Sequence, residues 1–240
     1  PRAVFSPVDA IYCDKFVQKV HTLRTPFFST LQYYDTIMRN LAQLIFARTE
    51  HEASRMGLYL AATLRVLLGW KADSETYEQE CAGTPGFNLS FSDQGEKKTA
   101  SLDEFLKVSV KWQHRLTRCF MTLLKSKEHM EVRNALIVLH KMVDVFPQIS
   151  RLSKHIEKDI EAIKDGDGRE DLRIMSTSYL IRLRQQKARF VSEDQFKWNP
   201  SHGAYVPTAE AAAKEDKDRK ADSASAASRG PGKVAAAAGG

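Results

Sequence analysis

The residues of this chain best placed to do chemistry fail on spacing. The stretch "HEASR" beginning at His51 opens like a zinc-protease helix, but the second histidine belongs at position 55, which is Arg55. The stretch "DGDGREDLRIMS" opens like a calcium loop. Its sixth residue is Glu170, where the sharp turn needs glycine, and its twelfth is Ser176, where a bidentate glutamate is needed. No phosphate-cradling glycine loop, nucleophile elbow or dinucleotide fingerprint occurs. The seven histidines are scattered over different segments, and Cys13, Cys81 and Cys119 are widely spaced with no CxxC pair. That pattern indicates neither a disulfide framework nor a zinc knuckle. The reading is therefore of no catalytic centre, no metal, no cofactor and no small-molecule substrate.

What remains is charge. The chain carries 36 Lys and Arg against 30 Asp and Glu, a net +6 with a pI near 9.2. From residue 201 onward six basic residues face five acidic ones, so the excess sits on the body. At 100° per residue, Lys107, Lys111, His114, Arg115, Arg118 and Lys125 share one side of a helix that begins at Ser101. Leu102, Phe105, Leu106, Trp112, Leu116, Phe120, Leu123 and Leu124 take the other side. A second set, Arg169, Arg173, Arg184 and Lys187, lies beside the apolar line Leu172, Met175, Tyr179 and Leu183. Cations one helical turn apart can follow a phosphate backbone, each contact releasing counterions. The same residues can equally be a solvated face whose stems shield the apolar edge. Trp112 and Phe120 fall on the buried side, so nucleic acid would be held by charge, without sequence preference.

The elements that position these residues read as helices from Ser6 to about Phe190, with glycine and proline between them. Ser6 is an N-cap with Pro7 at the first helical position. A second helix starts at Ser29, a third runs from about Glu50 to Trp70, and a short one covers Ser74 to Cys81. "AGTPGFNLSFSDQGEKKT" reads as a long surface loop, and Ser101 with Glu104 has the spacing of a capping box. The segment "RNALIVLHKMVDVFPQI" has five adjacent apolar residues, Ala135 to Leu139, which predicts a helix covered on more than one side. Further helices follow over "ISRLSKHIEKDIEAIK" and from Glu170 to Arg189. About eight helices joined by short turns predict an all-α fold of stacked antiparallel helices, a solenoid of the HEAT or ARM kind, over residues 1–205. Phe196 and Trp198 either fold back to staple that stack or meet a partner. Residues 206–240 are poor in large apolar residues and predict a disordered tail. No run reaches the roughly 18 to 20 apolar residues of a membrane span, which predicts a soluble chain. The opening at Pro1 reads as that of a fragment.

The blocks "SPVDAIYCDKFVQKVHTL", "TPFFSTLQYYD", "CAGTPGF", "SVKWQHRL" and "EVRNALIVLHKMVDVFP" lie in order over roughly residues 5 to 200. In them the sequence resembles the C-terminal helical region of the THO complex subunit two family. The resemblance implies an α-solenoid arm of a nuclear complex that couples transcription to messenger-RNA processing and export. It implies other THO subunits, a DEAD-box RNA helicase and messenger RNA or other nucleic acid as partners, and a role against RNA:DNA hybrids. Any ATP hydrolysis would belong to the helicase.

Overall fold

The computed structural model describes residues 2–46, 48–89, 98–166 and 168–207. The chain divides after Ala204, and the architecture below is that of Pro1–Ala204. Among the described residues there are ten α-helices and no strand; pairing of the β type is limited to isolated bridges at Asn88–Thr99 and Ile149–Val191. No helix among them is long and apolar enough to cross a membrane.

Several helix starts are set by side chains that satisfy orphaned amides, whereas α3, α7 and α9 start without one. α1 (Pro7–Thr22) is capped by Ser6 with proline in its first turn, and α2 (Thr30–Arg39) by Ser29. The second predicted helix breaks at Asn40, and α3 (Leu41–Ile45) continues beyond it. α4 (Glu50–Ala72) starts with a complete Thr49–Glu52 capping box and is followed by α5 (Ser74–Glu80), capped by Asp73. α6 (Leu102–Leu124) carries the expected Ser101–Glu104 box. Next come α7 (His129–Met142), α8 (Ser150–Gly166), α9 (Glu170–Gln185) and the short α10 (Glu193–Lys197).

The helices pack as two rows. α1 lies on α4, α4 on α7 and α7 on α9; beside them α2 and α3 lie on α6, and α6 on α8. The rows meet where α6 touches α4 and α7, and where α8 touches α9. Contacts between helices that are not consecutive, such as α4 with α7, are what a layered solenoid requires, because each layer must cover the apolar face of the one before. Residues Ala135, Leu136, Val138 and Leu139 of α7 are fully buried and Ile137 nearly so, since α4, α6 and α9 all close on that helix. At Gly57 the α4 backbone comes so near α7 that an added Cβ would lie 2.7 Å from the Lys141 Cβ and 3.2 Å from the Val138 Cα.

One expectation is corrected. The first part of the predicted surface loop is core: Thr84, Gly86, Phe87 and Asn88 are buried. Phe87 sits among Trp70, Tyr77, Phe105 and His21, with ring centroids 5.5–5.7 Å apart. A Cβ on Gly86 would strike the His21 ring at 2.3 Å, so this close approach needs glycine. Residues 90–97 of that loop lie outside the described residues, as does the expected disordered tail but for its first two positions.

Candidate nucleic-acid interface

α6 positions the main candidates. Its apolar face is buried as expected, and this turns Lys107, Lys111, His114, Arg118 and Lys125 outward along one ridge. At 1.5 Å per residue, Lys107 to Lys125 spans about 27 Å. Lys107, Lys111 and Arg118 are exposed and form no ion pair among the described residues. Lys125 meets Asp159 of α8 at 3.1 Å.

Arg115 belongs to a different arrangement. It is half-buried and ion-pairs with Asp35 of α2, which also binds Arg39 and accepts a 2.9 Å hydrogen bond from the Trp112 indole. Burial pushes the Asp35 carboxyl up, but the hydrogen bonds from Trp112, Arg39 and Arg115 outweigh it and hold the group below its ordinary range. This knot joins α2 to α6.

The members of the second predicted set have different surroundings. Arg184 donates to Glu157 and Glu161 of α8, both at 2.7 Å, and these bonds raise its pKa. Arg169 precedes the first turn of α9, and Lys187 lies in the 3-10 turn Lys187–Arg189 beyond that helix. Arg173 lines an open groove of about 850 Å³ with Ile174, Thr177, Ile181 and Arg182.

Helix packing also places together cations the sequence reading did not single out. Between α6 and α8 runs a groove of about 380 Å³ lined by His114, Arg118, Lys125, Arg151, His155 and the apolar Met121 and Leu152. Arg151 and His155 are exposed, one turn apart on α8. The only signal in the sequence was their i, i+4 spacing, and nothing in it tells that α8 lies against the ridge of α6. Glu193 of α10 accepts from His114 at 3.0 Å and from Lys197 at 2.6 Å, bonds that outweigh burial and hold its carboxyl low.

Phe196 folds back. It is buried with Val110, Ile149 and Leu152, under the Lys71 ammonium at 4.3 Å from the ring centroid, while Asn199 donates to Asp103 at 3.0 Å. Trp198 bonds its own turn, donating to the Gly203 carbonyl at 2.9 Å.

At the outer side of the first row, α1 exposes Val8 (78 %), Tyr12 (49 %), Phe16 (56 %) and, just past its end, Leu23 (64 %). Lys15, Lys19 and Arg24 stand among them. The two acids of α1 are occupied: Asp9 by Arg2 and Ser6, and Asp14, buried, by Thr63 and Gln18. Among the described residues, no group of three or more His, Cys, Asp and Glu is placed to hold a metal ion.

Comparison with known proteins places these features in a family. Residues 1–183 match the family described as transcription factor/nuclear export subunit protein 2. The THO complex subunit 2 of Arabidopsis thaliana is 37 % identical over 197 residues, and that of Homo sapiens 34 % over 203. The Saccharomyces cerevisiae THO complex subunit 2 is 22 % identical over 196 residues. Each comparison covers 82 % of this chain but only 11–13 % of the relative, so the chain spans about an eighth of the length of these proteins.

Proposed function

The chain belongs to the Tho2 family of transcription factor/nuclear export subunits, and from that membership we propose that it is a non-enzymatic scaffold segment of a nuclear THO assembly. In this reading it holds other subunits and a DEAD-box RNA helicase together, so that transcription is coupled to messenger-RNA processing and export. The observation that carries it is the outer face of α1. A row of large apolar side chains left in water at one side of a stack whose interior is otherwise closed is the mark of a surface that another macromolecule covers. The cations in that row, with no acid of α1 free to answer them, favour as occupant an amphipathic helix of another THO subunit, flanked by Asp and Glu. The immobilised chain should retain THO subunits from a reconstituted mixture at moderate salt. Retention of none of them would sink the scaffold reading.

A second reading rests on a separate observation, the cations Lys107, Lys111 and Arg118 along α6, unpaired among the described residues. They support sequence-independent binding of RNA or DNA through the backbone phosphates, which a scaffold can carry alongside its protein contacts.

A further inference from the structure

We propose that the groove between α6 and α8 is the seat of a single-stranded phosphodiester backbone, gripped by Arg118 from one wall and Arg151 from the other. The proposal rests on the nucleic-acid reading above and narrows it to one place and one strandedness, adding to Arg118 of the α6 band a residue outside the basic bands, Arg151.

Two guanidinium groups line the same groove from different helices, and neither forms an ion pair among the described residues. The acids nearby are committed elsewhere: Asp159 to Lys125, and Glu193 to His114 and Lys197. A groove with two unneutralised planar cations, and His155 beside them, is chemically matched to a phosphate oxygen pair, which guanidinium binds in a bidentate fork. The α6 ridge leads into this place. Lys107 and Lys111 lie up the same helix, so the charges form a line with a pocket on its course rather than an isolated cluster. That layout fits a polymer of phosphates better than one phosphorylated side chain.

The groove also bears on strandedness. Its cations sit between two helices, where a flexible single strand can lower a phosphate, whereas the phosphates of a duplex are fixed on the outside of a rigid cylinder. No Phe, Tyr or Trp lines it, so base stacking is limited to the His114 and His155 rings and the backbone supplies most of the contact. Binding should therefore be indifferent to base sequence.

The test uses the whole chain and a fluorescent oligouridylate, with anisotropy followed over a salt series. Arg118→Glu with Arg151→Glu should weaken binding about tenfold or more. It should also flatten the salt slope by about 1.4, at roughly 0.7 for each lost single-strand contact. Arg118→Gln with Arg151→Gln should show the same direction with a smaller loss, and circular dichroism should match the parent for both pairs. Arg65→Glu with Lys141→Glu, exposed on α4 and α7 of the other row, should leave affinity within about twofold. A duplex of the same length should compete less well than the single strand.

If the chain binds the oligonucleotide but the Arg118 and Arg151 pairs do not change affinity or slope, the groove is not the seat, while the nucleic-acid reading survives. If the parent chain does not bind it at all, both fall. Equal competition by duplex overturns the assignment to single strands. Loss of a phosphoserine peptide, with the oligonucleotide unaffected, would assign the groove to phosphorylated protein instead.

Discussion

Arg189 does for the turn after α7 what the turn cannot do for itself. Val143, Val145, Phe146 and Pro147 are buried, so their carbonyls need partners that water cannot provide. The Arg189 guanidinium donates to the carbonyls of Asp144, Val143 (2.7 Å) and Pro147 (3.2 Å). Arg189→Met keeps most of the stem and removes the donors, and should cost about 1–3 kcal/mol, read as a lower melting temperature. His21 and His140 give the fold an acid limit. Nε2 of His21 donates to the Glu80 carbonyl at 3.1 Å, leaving Nδ1 to accept from Thr30 at 2.9 Å, and His140 donates to the Met175 carbonyl at 3.0 Å. Burial pushes both imidazoles below their ordinary 6.5. The unfolded chain then takes up protons before the folded one does. The stability these residues contribute is complete above about pH 6.5 and declines as pH falls toward their folded values. Urea midpoints should fall between pH 7 and pH 5, and His21→Gln with His140→Gln should flatten that decline; an unchanged slope would remove these residues as its cause.

At the scale of elements, close approach sets the packing of α4 on α7. Gly57→Val would drive a branched side chain into the Lys141 Cβ and the Val138 backbone, and should destabilise the fold by about 1–3 kcal/mol, seen in the denaturation midpoint. A neutral result would mean that the two helices can separate without loss. Much of this level was legible in the sequence, because helix capping and 3.6-residue periodicity are local. Ser6, Ser29, Ser101 and Glu104 mark the starts they predict, and the apolar run of α7 is enclosed as its pattern requires. What could not be read is long-range. Phe87 stands in a glycine- and proline-bearing stretch that looks like a loop, and only the ring cluster around it shows it to be core. Arg115 and Arg184 looked like members of free basic bands until α2 and α8 brought Asp35, Glu157 and Glu161 against them. The same blindness hid Arg151 and His155, whose relation to α6 exists only in the packed rows.

At the scale of the molecule, one large apolar cluster runs through the stack with a smaller one around Phe196, and the buried Asp14 is held by Thr63 and Gln18. A ridge of cations runs along α6 in the second row, and apolar side chains stand in water on α1 in the first. A stack built this way has surfaces to offer, and the account stands on the α1 surface being covered by a subunit of the assembly. The most direct measurement compares the parent chain with Val8→Glu, Tyr12→Glu and Phe16→Glu combined, for retention of reconstituted THO subunits. Val8 and Phe16 are exposed and Tyr12 is half-exposed, packing on Phe16 and under the Arg2 guanidinium, so circular dichroism should match the parent while retention is lost. A folded triple variant that holds the subunits as well as the parent does would contradict the account.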